Sequence, residues 1–166
     1  TALTVRSRQK SYLIDSWMVR RLAKWILEKT EPSNISKLIE HELGIYIIGP
    51  NEMADLNFSN LKHKGATDLI TLDYMEVASI PKCGPILGDL FICPTVAEEN
   101  AKEFGTSCSY EVARYLIHGI LHLRGYDDKK QAARKIMKQK ENLLMKDASK
   151  HFPLSSLVKK PKTNCG

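Results

Sequence analysis

No stretch of the 166 residues approaches the ~20 consecutive apolar positions that a membrane-spanning helix needs. The opening residues, Thr1 to Lys10, alternate apolar and polar side chains and lack the apolar core of a secretory signal. A soluble, cytoplasmic protein with no membrane contact is therefore expected. Cysteine is sparse: Cys83, Cys93, Cys108 and Cys165 form no CxxC pair, and their spacing fits neither a zinc ribbon nor a compact disulfide framework. A reduced compartment is the simplest account, with Cys93 a small core residue in an apolar strand. Internal repeats and low-complexity blocks are absent too.

What is present suits one globular domain over residues 1–150: 43% hydrophobic residues can build a core, and 27% charged residues are ordinary for a soluble chain. The net charge of +6 and pI near 9.1 favour polyanionic partners, nucleic acid first among them, although a merely soluble basic protein carries the same charge.

Period-2 alternation predicts strands over Ala2–Arg8 and Asp68–Tyr74, the short, apolar, β-rich run Leu43–Gly49 predicts a buried strand, and Ile86–Cys93, ended by Pro94, is a further one. Helical spacing predicts a helix from Trp17 to Lys29 behind an Asp15-Ser16 cap, and a short one after Pro50-Asn51. A third runs from Thr95 to Phe104 between Pro94 and Gly105, and a fourth from Tyr110 to Leu123, capped by Ser109 and stopped at Gly125. A last helix, Lys130 to Lys146, carries the apolar stripe Ala133, Ile136, Met137, Leu143 and Leu144. Pro81, Gly84 and Pro85 mark a loop, and residues 151–166 read as a basic, mobile tail. The fold class expected is α+β, an α/β sandwich of a mixed, four-stranded sheet with helices packed on it and a central metal-binding helix.

The chemistry concentrates between His118 and Asp128. At about 100° per residue, His118 and His122 lie on one face of a helix and can address one ion. Val112, Ala113, Leu116, Ile120 and Leu123 form the opposite, packing face. Gly125 permits a sharp exit, which can return Asp128 toward the histidines as a third ligand. Two imidazoles and a carboxylate suit a zinc-like ion with a fourth position for water. The spacing HxxxHxxGxxD repeats the layout of HExxHxxGxxH metalloproteases. Gly119, however, stands where their catalytic glutamate would be, so protease chemistry is disfavoured.

The run HGILHLRGYDD closely resembles the HGxLHLxGYDH signature of the YbeY family of bacterial-type endoribonucleases. Ala66-Thr67-Asp68-Leu69-Ile70-Thr71-Leu72 is similar to that family's PTDVLSF segment, and Leu87-Gly88-Asp89-Leu90-Phe91-Ile92 to its LGDIxI strand. The resemblance implies a single-domain, zinc-dependent endoribonuclease with one ion per chain, specific for single-stranded RNA. It further implies maturation of the 3′ end of small-subunit rRNA and ribosome quality control, with an rRNA precursor and the small ribosomal subunit as partners. A monomer is expected.

Two departures stand out. The family's third ligand is a histidine, which falls at Asp128, and a family arginine thought to engage RNA falls at Leu61. The adjoining Lys62, His63 and Lys64 can supply the missing charge, as can Arg114, one turn before His118 on the histidine face. These basic residues are the candidates for steadying the transition state. Asp127 is a candidate base, or a ligand support, and it or Asp128 can cap the last helix. The alternative functions are a non-catalytic, metal-containing ribosome-assembly factor and a metalloprotease-like hydrolase.

Overall fold

The computed structural model describes residues 1–32, 40–61, 65–75 and 85–160. In chain order the elements are β1 (Ala2–Ser7), β2 (Leu13–Ile14), α1 (Ser16–Lys29), β3 (Glu42–Ile47), α2 (Pro50–Leu61), β4 (Leu69–Asp73), β5 (Leu87–Ile92), α3 (Pro94–Phe104), α4 (Cys108–Leu123), α5 (Gln131–His151) and β6 (Val158–Lys159), with a 3-10 turn at Leu154–Ser156. The main sheet has the order β1-β3-β5-β4, parallel across the first three strands and antiparallel between β5 and β4. The mixed α+β architecture is the one expected.

Alternation along the strands divides the core between two faces. Leu43, Ile45, Ile47, Leu90 and Ile92 turn toward α1 and α4, into the larger cluster. Tyr46 and Phe91 turn the other way, stack at 5.1 Å, and pack with Met53 and Leu56 of α2. The loop around Pro81 and Gly84 and the end of the chain beyond Lys160 lie outside the described residues.

Helix α4 sits against the sheet at unusually short range. A Cβ built on Gly119 would lie 2.7 Å from Leu90 Cδ2, and one on Gly88 of β5 would lie 2.7 Å from Leu123 Cδ2. Glycine at both places lets helix and strand approach, and it explains why position 119 has no room for a glutamate.

Three local expectations are corrected. Ser107, not Ser109, caps α4 by accepting from the Tyr110 N–H at 3.1 Å. The Ser109 hydroxyl is taken up elsewhere: it donates to Val158 O at 3.0 Å and accepts from Val158 N at 2.9 Å.

Second, the supposed mobile tail is docked as far as it is described. Phe152, Leu154, Leu157 and Val158 are buried, and β6 pairs antiparallel with β2. These apolar positions span too few residues to establish a helical or strand period, so they carried no pattern.

Third, α5 is rotated relative to the expected stripe. It buries Met137, Glu141, Leu144, Met145 and Ala148, while Ile136 and Leu143 stand 58% and 63% exposed. Spacings of 4, 7, 8 and 11 from Met137 define one helical face, on which a glutamate takes a core position.

Candidate metal centre

Helix α4 and the turn that ends it build the site. His118 and His122 are successive on one face, their rings 4.7 Å apart and nearly perpendicular. Gly125 adopts φ +100°, and two hydrogen bonds close the helix end: Gly125 N to His122 O at 2.9 Å and Tyr126 N to Leu121 O at 3.1 Å. That pair is a Schellman closure, and it reverses the chain over the histidines. Arg134 of α5 then straps the turn by donating from Nε to Asp128 O at 3.0 Å.

The result is a compact triangle. His118 Nε2 and His122 Nε2 are 3.1 Å apart, and Asp128 Oδ2 lies 3.7 Å from the first and 3.5 Å from the second. These three are the group of potential ligands found among the described residues. Metal–ligand bonds of ~2.0–2.1 Å at tetrahedral angles place ligand atoms about 3.3 Å apart, so the triangle fits a zinc-sized ion. Three protein ligands would leave one tetrahedral corner for water, and Asp128 is 44% exposed.

Burial and the neighbouring His118 push His122 below the usual imidazole pKa, against the pull of Asp128. At neutral pH its ring is uncharged and has a lone pair to offer.

Glu141 is the functional residue that the sequence reading missed. It is only 2% exposed, on α5, and its Oε2 lies 2.9 Å from His118 Nδ1. A carboxylate there claims the Nδ1 proton and leaves Nε2 bare toward the other two ligands. Burial alone would raise the Glu141 pKa, but the hydrogen bond from His118 and the charges of Lys138, His118 and Arg114 hold it below the usual range. The available signal was a charged residue on an otherwise apolar helical face.

Arg114 is brought to this site, and it is engaged by two carboxylates. It donates to Glu111 Oε2 from Nη2 at 2.6 Å and from Nε at 3.1 Å, and to Glu141 Oε1 from Nη1 at 3.3 Å. Glu111 in turn accepts from the Thr106 hydroxyl at 2.7 Å. Lys62 and His63, with Lys64, lie outside the described residues. Asp127 caps no helix: its Oδ1 accepts from Lys129 N at 2.9 Å, and α5 begins behind Lys130 without a side-chain cap.

The triangle opens into a cleft of about 1290 Å³ between α4 and the edge strand β4, with Tyr74, Asp73 and Asn60 on its walls. A smaller pocket of about 210 Å³ adjoins it on the α5 side, lined by Arg134 and Lys138. His118, Asp128, Arg114 and Glu141 border both.

A family model described as Endoribonuclease YbeY matches residues 4–149. The chain belongs to the YbeY family. The Endoribonuclease YbeY of Aquifex aeolicus is 34% identical over 146 residues, covering 86% of this chain and 95% of that protein. The YbeY of Methylococcus capsulatus is 28% identical over 151 residues, covering 91% and 93%. The solution structure of TM1509 from Thermotoga maritima shares the fold, with TM-score 0.56 and 21% identity over 93% of this chain and 95% of that one. YbeY membership places the histidine triangle within a family of RNA-hydrolysing enzymes. No helix among the described residues is long and apolar enough to cross a membrane.

Proposed function

We propose that this YbeY-family chain is a metal-dependent endoribonuclease that cuts single-stranded rRNA precursors, with His118, His122 and Asp128 holding one zinc-like ion. The observation that carries this reading is the triangle of ligand atoms 3.1 to 3.7 Å apart at the floor of an open cleft.

When bound, such an ion supplies Lewis acidity toward a phosphodiester oxygen and lowers the pKa of water. The chain's residues do the rest. Glu141 keeps the His118 proton on Nδ1, and Arg114 keeps Glu141 ionised and in place. Asp128 adds a negative, oxygen-bearing corner, which makes the set harder than three histidines and extends its range toward manganese and iron. Arg114 acts here as a positioning residue, because its guanidinium is committed to Glu111 and Glu141. Lys62 and His63 remain candidates for neutralising the phosphorane-like transition state.

The small ribosomal subunit as partner, maturation of the rRNA 3′ end, quality control, a monomeric state and a cytoplasmic location complete the proposal. A single domain, with the segment from Phe152 to Val158 packed into it, belongs to it as well.

One ion per chain and cleavage of a single-stranded rRNA fragment are expected, with both lost in His118→Ala and His122→Ala. Metal binding without cleavage, across zinc, manganese, iron and nickel, would overturn the catalytic reading. It would favour the non-catalytic assembly factor, which the engagement of Arg114 by two carboxylates also suits.

A further inference from the structure

The two cavities that meet at the histidine triangle differ in chemistry. On the β4 side the cleft wall carries Asp68 and Asp73, together with one large aromatic, Tyr74. On the α5 side the pocket carries Arg134 and Lys138. A nucleic-acid strand crossing the triangle therefore meets a ring on one flank and cations on the other.

Each feature is set for a ligand. Tyr74 is 54% exposed, yet its hydroxyl is tethered to Asp89 Oδ2 at 2.7 Å. That hydrogen bond, with some desolvation, pushes the phenol up to about 12, so the ring stays neutral. A tethered, solvent-facing ring loses little freedom when a base stacks on it. Arg134 is anchored through Nε, and its guanidinium pairs with no carboxylate among the described residues. Lys138 leans on Glu141 at 3.6 Å and is mostly solvated, so its ammonium is available to an anion at the pocket mouth. Lys130 and Lys135 lie in the same stretch of sequence and extend its positive charge.

We propose that a single RNA strand crosses the metal centre with an unpaired base stacked on Tyr74 and flanking backbone phosphates held by Arg134 and Lys138. This deepens the endoribonuclease reading and rests on it. It gives a physical cause for single-strand preference, because a base in a duplex has no open face for the ring. It also places the backbone cations on α5, in a chain whose family arginine is replaced by Leu61.

The test is equilibrium binding of the metal-loaded protein to a short, hydrolysis-resistant phosphorothioate RNA, followed by anisotropy from about 50 to about 200 mM salt. Arg134→Gln with Lys138→Gln should flatten the log–log salt dependence by about 1.4, at about 0.7 per single-strand phosphate lost. Lys146→Gln with Lys150→Gln, farther along α5, should leave it unchanged. Tyr74→Ala should weaken binding on the order of tenfold to a hundredfold without changing the slope, and Tyr74→Phe should retain most of the affinity.

An unchanged slope in the Arg134/Lys138 pair overturns the phosphate site. So does an equal loss in the Lys146/Lys150 pair, or a loss that merely tracks loss of metal. Equal weakening by Ala and Phe, or no weakening by either, overturns the stacking role, as does duplex RNA binding as well as single strands. If the wild-type protein shows no salt-dependent RNA binding at all, the endoribonuclease reading itself falls.

Discussion

Glu141→Gln isolates what the buried carboxylate does for the metal centre. The change keeps side-chain volume and removes the charge. In the native site one oxygen faces His118 Nδ1 at 2.9 Å and the other faces Arg114 Nη1 at 3.3 Å. An amide can serve one of these with its carbonyl, but its NH2 then confronts the other, which is itself a donor. The cheapest escape is for His118 to move its proton to Nε2, the atom that must be bare to bind an ion. Loss of such a supporting partner costs about 10- to 100-fold in metal affinity, or about 1.4–2.7 kcal/mol.

The assay is zinc titration at neutral pH against a chelator of known affinity, with histidine nitrogen shifts recorded on the metal-free protein. Wild type should show His118 protonated at Nδ1, and the variant a mixture of tautomers. Glu141→Ala should weaken metal at least as much and also lower stability by about 1.5–3 kcal/mol, because His118 and Arg114 each lose a charged hydrogen-bond partner while Arg114 keeps Glu111. Zinc affinity within twofold of wild type in Glu141→Gln, with the tautomer unchanged, would refute the reasoning.

Gly119→Ala drives a methyl group into Leu90 and should cost about 1–3 kcal/mol in urea unfolding; an unchanged midpoint would show that α4 does not press on β5. Leu157→Ala should cost about 2–5 kcal/mol, because the segment after α5 is packed and not mobile; a surface-like effect below ~0.5 kcal/mol would refute the docking. Metal-free protein should lose stability on acidification in two stages. His122 has a depressed folded pKa, so its contribution is present above about 6.5 and lost as pH falls through the folded value. Glu141 is likewise depressed, so its contribution is present above about 4.3 and lost below that; Glu141→Gln should shrink this second stage, part of which Glu31, also held low, retains. Asp128→His, which restores the family's third imidazole, should retain zinc and shift the pH–rate profile for RNA cleavage to lower pH, whereas Asp128→Ala should lose zinc affinity; equal zinc affinity in the Ala variant would remove Asp128 from the ligand set.

Much of this site was legible because its parts are local. His118 and His122 are related by helical geometry alone, and Gly125 announces the reversal that returns Asp128 three residues later. The four strands of the main sheet were equally plain, since alternation and the flanking turns are local signals. Glu141 was hidden because it reaches His118 from 23 positions away. Its helix was read with one stripe, Ala133, Ile136, Met137, Leu143 and Leu144, of which Met137 and Leu144 are buried while Ile136 and Leu143 stay in solvent. Only packing against α4 turns Glu141 inward beside Met137 and Leu144. Ser109 misled for a related reason: as a helix cap it was plausible, but its partner, Val158, lies 49 residues on.

The reversal after Gly125 has a mechanical consequence. Two ligands lie on α4, the third lies in the connecting turn, and the carboxylate that steadies the first lies on α5. The centre is thus complete only while this helical hairpin is shut, and an ion held there would tie the turn to α4 directly and α5 through the Glu141–His118 contact. Metal loading should then slow amide exchange in α5 far more than in the sheet, so the ion would serve as a reporter of hairpin closure as well as a reagent.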